Sequence, residues 1–434
     1  MRSFKVALIL FFLFMVGACS QAQQMSKDVY KTSAKIELKL KNPDYDRVID
    51  LLEKAKTDYP DDPEICFLLG KVYGIKHRVK DMVGAFAQAD KAGLKGKEKE
   101  EMKELMSDAF TTTFNQAVDF AKQVNTIDRY AEEASSDWSK YKVYCDSLEK
   151  IASRFPDSAY NWKACTSAEQ LPLAPLKQHL YEKALELYEL NMQLDSTRYE
   201  PFVNAGFVAS KLNQTDKALT YFKKAYELKP DDLDVLGNYF AALLNNKKYE
   251  EALKVSDAIL KINPDNVNIL FNRAIILENL GREQETLDLY NKIVEKDSNT
   301  KDAFFNRGLW YLNQTGKIAK QLITLRDSME NNPKAQALIE RSSNLIEEQK
   351  SFFNKAGSDF SRVLQLSPND QEAMRFLGYC YLNEEKPEKA IEVLEKLVQN
   401  KPDDKEAWGY LSIAYAKKGM IDKAKEAEKK SQEL

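Results

Sequence analysis

The chain has 434 residues, 44% of them hydrophobic and 30% charged, with only 15 glycines and 13 prolines. Because this length exceeds what a single compact core usually holds, several domains or a repeat array are expected, and the scarcity of turn-forming residues favours an all-α protein over a β-sandwich or barrel. Basic (64) and acidic (67) residues nearly balance, so the composition disfavours a nucleic-acid partner.

The amino terminus has the composition of an export signal. Arg2 and Lys5 precede an apolar run over residues 6–16. Such a run is too short for a transmembrane helix and is typical of a secretory signal. It ends in the sequence Val16-Gly17-Ala18-Cys19.

This ending resembles a bacterial lipoprotein box, in which small residues precede an obligatory cysteine. The resemblance implies that residues 1–18 are a signal peptide and that Cys19 carries the lipid in a Gram-negative envelope, such as that of a member of the Bacteroidetes. By the same resemblance, Ser20 after the cysteine implies an outer-membrane lipoprotein that faces the periplasm, with residues 19–28 as a flexible tether. The alternative is an ordinary secretory signal with an incidental cysteine.

After the tether, a pattern of large, small, aromatic and proline residues recurs with a spacing of 34. Between residues 199 and 232 the pattern consists of Phe202, Gly206, Ala218, Phe222, Ala225 and Pro230. It resembles the tetratricopeptide repeat, in which small residues let two antiparallel helices cross closely and proline ends the second helix. The resemblance implies a right-handed superhelical solenoid of helix-turn-helix units.

The pattern divides the mature chain into four regions. Two amino-terminal units are predicted over residues 29–96, and a helical but irregular region over 97–198. Further units are predicted over 199–370, and two carboxyl-terminal units over 371–434. The resemblance therefore covers nearly the whole mature chain, although a fold of this kind specifies function only weakly.

One unit between residues 199 and 370 is split. Its first helix has Gly308 at the small position, and the matching small residue of its second helix is Ala356, a sequence separation of 48. In a regular unit the separation from Gly206 to Ala218 is 12, so the excess of 36 indicates an insertion, which is expected at 317–350. Because the insert is charged and has apolar residues at helical spacing, it is predicted to form a helical arm.

Residues suited to catalysis or metal binding are few. The two histidines, His77 and His179, lie in separate regions without a paired cysteine or glutamate. No glycine-rich phosphate loop is present. The sequence therefore predicts no enzyme activity, no cofactor and no metal site.

Four cysteines follow Cys19. Cys66 and Cys380 fall at packing positions of first helices and are predicted to be buried apolar residues. Cys145 and Cys165 would nearly face each other if the chain reverses at Pro156, so a disulfide is one expectation in an oxidising periplasm. Two separately buried thiols are the other expectation, because helix faces cannot be assigned from the sequence.

The most distinctive candidate site is a row of asparagines, here called the ladder. Asn204, Asn238, Asn272 and Asn306 follow one another at 34-residue intervals on first helices. They resemble the asparagine ladder of the tetratricopeptide domain of O-linked N-acetylglucosamine transferase, where amides hold an extended peptide. A carboxamide both donates and accepts, so it can pair with the peptide backbone of any sequence. The alternative is that each amide bonds the backbone of a neighbouring helix and ties units together.

Apolar residues accompany the ladder. Phe207 lies three residues after Asn204, and Phe376 and Tyr410 replace asparagine in the last two units, so a peptide-binding surface would become aromatic towards the carboxyl end. The alternative is that these aromatic residues are ordinary core. A second asparagine row is predicted to end the first helices and to be structural; it consists of Asn245, Asn279 and Asn313.

Together these observations predict a non-enzymatic scaffold for protein–protein interaction, anchored to the bacterial envelope. It would bind an extended peptide or a partner protein in the concave groove of the repeats. The alternative function is a carbohydrate-binding lipoprotein for nutrient uptake, against which tryptophan is rare (4 residues).

Overall fold

The computed structural model describes residues 25–136, 148, 151, 173–331 and 336–434. Over this part of the chain the structure contains α-helices and no strand, so the all-α prediction is confirmed. The chain divides into two compact units, Met1–Lys247 and Lys248–Leu434.

The first unit contains nine described helices, several of them paired as helix-turn-helix motifs. They are α1 (Lys27–Glu37), α2 (Tyr45–Asp58), α3 (Pro63–Ile75), α4 (Val79–Lys91), α5 (Lys97–Ser136), α6 (Leu173–Leu194), α7 (Glu200–Lys211), α8 (Thr215–Leu228) and α9 (Leu233–Asn245). The long helix α5 lies in the predicted irregular region and packs against α6. Thr113 of α5 donates a buried hydrogen bond of 3.1 Å to the side-chain oxygen of Asn191 in α6.

The second unit also contains nine described helices. They are α10 (Tyr249–Ile262), α11 (Val267–Asn279), α12 (Glu283–Lys296), α13 (Lys301–Asn331), α14 (Gln336–Leu366), α15 (Gln371–Asn383), α16 (Pro387–Asn400), α17 (Lys405–Lys417) and α18 (Ile421–Glu433). Among the helices of the described residues, none combines the length and the apolar character needed to cross a membrane.

Acidic or amide side chains cap the amino-terminal ends of many of the first helices. Asp232 accepts hydrogen bonds from the backbone amides of Asp234 and Val235, and Asn266, at the same position of the next unit, accepts one from Ile269. Asp370 and Asp404 cap α15 and α17 in the same way. Each such cap stabilises a helix by about 1 kcal/mol.

A glycine meets a large side chain where the two helices of a repeat cross. A Cβ on Gly206 would lie 2.7 Å from the ring of Phe222, and one on Gly378 would lie 2.6 Å from Leu394. Gly70 and Phe86 make the same contact, and all three pairs have one and the same sequence separation. Only a residue without a side chain therefore allows this close approach of the helices.

The same contact occurs between α13 and α14, but with a longer separation. A Cβ on Gly308 would lie 2.9 Å from the ring of Phe360. The sequence separation of this pair exceeds that of Gly206 and Phe222 by 36, which is the excess that the sequence predicted. The two helices therefore pair as one repeat that contains an insertion. Residues 317–331 of the predicted insert lie on α13 and residues 336–350 lie on α14.

Within the arm formed by these additional turns, α13 and α14 pack against each other. Ile318 and Leu325 are buried along α13, and the Gln349 amide of α14 donates a 3.0 Å hydrogen bond to the backbone oxygen of Thr315. The arm therefore continues the packing of the repeat to which it belongs.

Backbone geometry at one repeated position explains why α13 runs on. Asn213, Lys247 and Gly281 follow each other at 34-residue intervals, all with φ between +56° and +69°, and each closes the turn after a first helix. The next position in this series is Thr315, which lies inside α13. A β-branched residue is strained at positive φ, so this position disfavours the turn and the helix continues.

Candidate functional site

Each ladder asparagine lies on a first helix. Asn204 is on α7, Asn238 on α9, Asn272 on α11 and Asn306 on α13. All four side chains are half-buried. The first two belong to one compact unit and the last two to the other, so the structure describes the ladder as two separate pairs.

Two of the amides bond their own helix and not a neighbouring one. The Asn204 side chain donates to the backbone oxygen of Glu200 at 3.0 Å, and Asn306 donates to that of Asp302 at 2.7 Å. These bonds therefore do not tie neighbouring helices together. Each uses one of the two amide hydrogens, so a second hydrogen and the carbonyl oxygen remain available for a ligand.

At Asn272 and Asn306 the next residue is an arginine that makes polar contacts with other helices. Arg307 donates two hydrogen bonds, of 2.8 and 2.6 Å, to the Asp359 carboxylate on α14, and a third of 2.8 Å to the side-chain oxygen of Asn291 on α12. Arg273 donates a 2.7 Å bond to the Ser256 hydroxyl on α10 and also binds Asp257.

These arginines were missed in the sequence, although a signal was present. Arg273 and Arg307 are separated by one repeat length, and so are their partners Asp257 and Asn291 on the preceding second helices. A search for polar pairs that recur together would have found them. Because these arginines connect neighbouring repeats, the ladder amides of α11 and α13 are not needed to connect them.

The Arg307–Asp359 pair is deeply placed. Asp359 is only 4% exposed. Burial opposes charge on the Arg307 guanidinium, but the bonds to Asp359 outweigh it, so the pKa of Arg307 is raised. Burial also raises the pKa of the Asp359 carboxyl, and Arg307 offsets this only in part. Without Arg307 the carboxyl would be left in an apolar surrounding.

The apolar residues beside the ladder differ in accessibility. Phe207 is 50% exposed on α7, and Ile275 is 36% exposed one turn beyond Asn272. Phe376, by contrast, is half-buried and stacks on Phe360 with a 5.3 Å centroid distance. Tyr410 is also half-buried, with its ring 5.2 Å from that of Tyr379. Of the three aromatic residues predicted to bind peptide, Phe207 is therefore the most accessible.

The second asparagine row differs from the prediction at one position. Asn245 and Asn279 are the last residues of α9 and α11, as predicted. Asn313, however, lies inside α13, so the prediction that it ends a first helix is wrong. The cause is the absence of a turn at Thr315. Asn383, which was not singled out in the sequence, ends α15 in the same manner as Asn279 ends α11.

The two histidines lie in different elements of the first compact unit. His77 is exposed in the turn between α3 and α4, and His179 is half-buried on α6. Across the described residues, no cluster of three or more histidine, cysteine, aspartate or glutamate side chains could hold a metal ion.

Cysteine positions are described only in part. Cys66 and Cys380 are buried free thiols, and burial raises the pKa of both. The leader, the lipidation position Cys19 and the pair Cys145 and Cys165 lie outside the described residues.

Comparison with solved structures returns many matches. YrrB, described as a tetratricopeptide repeat protein "with an unusual peptide-binding site", is 20% identical; the match covers 51% of this chain and 96% of YrrB, with a TM-score of 0.37. A tetratricopeptide repeat protein from Parabacteroides merdae is 19% identical over 54% of this chain and 93% of its own, with a TM-score of 0.30. Pseudomonas aeruginosa pilF is 13% identical over 54% and 90%, with a TM-score of 0.36. Likeness at this level carries no information about ligands. The search of curated proteins returned no match.

Family models give a more direct result. Two models, each described as tetratricopeptide repeat, match the chain: one over residues 209–270 and 353–412, the other over residues 240–303. The matched segments contain many of the aromatic and capping residues described above. They also lie on both sides of the helical arm. Residues 209–303 and 353–412 are therefore tetratricopeptide repeats, and the described part of the chain is all-α.

Proposed function

We propose that the chain is a non-enzymatic interaction scaffold that binds an extended peptide segment of a partner protein along the exposed face of the first helices α11 and α13. Tetratricopeptide repeats generally mediate protein–protein interactions, which supports the broader part of the proposal. The observation that carries the finer part is the pair of half-buried carboxamides at Asn272 and Asn306. Arg273 and Arg307, not these amides, form the polar ties to neighbouring helices.

The chemistry of this face suits a peptide backbone. A carboxamide can donate to a peptide carbonyl and accept from a peptide N–H, which is the pattern an extended segment presents. Ile275 lies on the same face of α11 and is 36% exposed, so an apolar side chain of the ligand has a surface to contact. Such a face would bind peptides of many sequences with little specificity for their side chains.

We further propose that the scaffold is a lipoprotein of a bacterial outer membrane, facing the periplasm. The support is the leader sequence, in which a positive start, an apolar run and Cys19 follow one another in register. A tether over residues 19–28 would separate the repeats from the membrane surface. Partner segments in the periplasm could then reach the first-helix face.

The peptide-binding proposal is tested with peptides selected from a random phage-displayed library on the full-length chain. The selected peptides are then measured by fluorescence anisotropy against the double variant Asn272→Ala/Asn306→Ala. Loss of one backbone hydrogen bond at each of the two asparagines, about 1 kcal/mol apiece, predicts binding weakened about thirtyfold.

A matched control is Asn400→Ala, which removes an exposed asparagine at the end of a second helix. This control should bind like the wild type, and all three proteins should melt at the same temperature. Unchanged affinity in the double variant would contradict the proposal. A lowered melting temperature with unchanged affinity would assign the asparagines a structural role instead.

A further inference from the structure

The helical arm has an exposed apolar flank that the packing of the repeats does not use. Ile323 on α13 is 53% exposed, and Ile339 and Ile346 on α14 are 38% and 40% exposed. These three isoleucines are called the arm flank. Ile339 and Ile346 are seven residues apart, so they share one face of α14. This surface is distinct from the ladder and does not rest on the proposed peptide-binding function.

Further along α14 the same face is covered by a helix. Phe353, seven residues after Ile346, is only 5% exposed and its ring lies 5.7 Å from that of Tyr379 on α15. One turn later, a Cβ on Gly357 would lie 3.4 Å from the Cβ of Cys380. Helix α15 therefore packs directly on this face of α14.

Coverage stops where α15 stops. Helix α15 ends at Asn383, and the chain reverses through Glu385, which has φ of 59°. Helices α13 and α14 extend well beyond this level because of the insert. Among the described residues, α15 therefore covers Phe353 but leaves Ile339 and Ile346 exposed on the same face of α14.

The opposite side of the arm is already in contact with the repeats. Lys317 on α13 forms an ion pair with Glu283 at the start of α12, in the preceding unit. The arm flank therefore faces the side of the following repeat, which begins with α15. A single helix placed there would continue the interface that α15 makes with Phe353.

We propose that the arm flank binds an amphipathic α-helix of a partner protein, laid along α14 in continuation of α15. The expected occupant is a helix, because Phe353 continues the seven-residue spacing of Ile339 and Ile346 and already packs against helix α15. The apolar stripe of the partner would cover Ile339 and Ile346, and Ile323 would lie at its edge. The arm thereby gives the chain a second docking surface of a different kind from the ladder.

The test uses a panel of fluorescein-labelled synthetic helices of about 18 residues, each with a leucine stripe and with different charges at its edges. Every peptide has a scrambled partner of equal composition without the stripe. Binding to the full-length chain is measured by anisotropy, first with the wild type and then with Ile339→Ser/Ile346→Ser. We expect at least one striped peptide to bind and the double variant to weaken it about tenfold or more.

The matched control is Ile75→Ser/Ile262→Ser, which alters isoleucines of similar exposure (43% and 46%) on α3 and α10. This control should bind like the wild type, as should Asn272→Ala/Asn306→Ala, so failure of the ladder proposal is distinguishable from failure of this one. Absence of binding by every striped peptide, equal binding of scrambled peptides, or unchanged affinity in the arm variant would overturn the proposal. A dimer of the chain in sedimentation that the arm variant abolishes would also overturn it, because the flank would then be a self-association surface.

Discussion

The contact between Gly308 and Phe360 gives a sharp prediction, because a second glycine on the same helix is its control. A Cβ on Gly308 would meet ring atoms of Phe360 at 2.9, 3.1 and 3.2 Å. A Cβ on Gly316, also on α13, would meet no atom within 4 Å. Both substitutions to alanine gain the same helix propensity, so their difference reports the contact alone.

The expected magnitude follows from two opposing effects. Replacing glycine by alanine inside a helix stabilises it by about 1 kcal/mol. At Gly308 the gain is opposed by overpacking, which costs about 1–3 kcal/mol. Phe360 is fully buried and its ring is 5.3 Å from that of Phe376 and 5.7 Å from that of Phe305, so it has little room to move. Gly316→Ala should therefore stabilise the protein, and Gly308→Ala should be neutral or destabilising.

Thermal and urea unfolding of the two variants, followed by circular dichroism, measures this difference. A third protein, Gly308→Ala/Phe360→Leu, removes the ring that the new methyl group meets. Its stability loss should be smaller than the sum of the two single losses, because the two residues are in contact. Equal stabilisation by both glycine substitutions would refute the pairing of α13 with α14 at this point, and with it the assignment of the insertion to an arm.

Three further predictions concern other parts of the chain. Arg307→Met should cost about 3–5 kcal/mol because it leaves the Asp359 carboxyl buried without its partner, and Arg307→Met/Asp359→Leu should recover most of that loss in urea unfolding. Burial raises the pKa of Tyr188 from its usual 10.0 to about 12. Its neutral form therefore stabilises the fold fully below pH 10, and this contribution is lost as the pH rises from 10 to about 12. The melting temperature of Tyr188→Phe should accordingly fall less than that of the wild type over that range. Cys19→Ser should abolish incorporation of labelled palmitate and release the protein from the membrane fraction in a Gram-negative host, whereas Cys66→Ser should leave both unchanged; lipid incorporation in Cys19→Ser would contradict the proposed anchor.

Much of the fold was accessible from residue spacing, because the repeat places the same contact at the same interval. The 34-residue spacing predicted helix pairs, and the excess separation between Gly308 and Ala356 predicted an insertion of the size that the Gly308–Phe360 contact implies. Small residues at crossings are a strong signal, since any side chain there would collide with the partner helix.

Other features depend on geometry that spacing does not carry. Asn313 has the sequence position of a helix-ending residue, yet α13 continues past it because Thr315 replaces a residue that can adopt positive φ. Arg307 forms hydrogen bonds with two different helices, and Asn306 forms one with its own helix. Both depend on side-chain conformation. For that reason the sequence left two roles open for the ladder asparagines.

The most direct test of the proposed peptide-binding face compares backbone and side-chain changes in the ligand. A peptide selected on the wild-type chain is remade with N-methyl groups on alternate backbone nitrogens, and separately with alanine at each side chain in turn. If carboxamides of the ladder hold the backbone, N-methylation should weaken binding by about thirtyfold, while most alanine replacements change it less than threefold, or about 0.6 kcal/mol. Full affinity of the N-methylated peptide, with binding lost on alanine replacement of single side chains, would contradict the account.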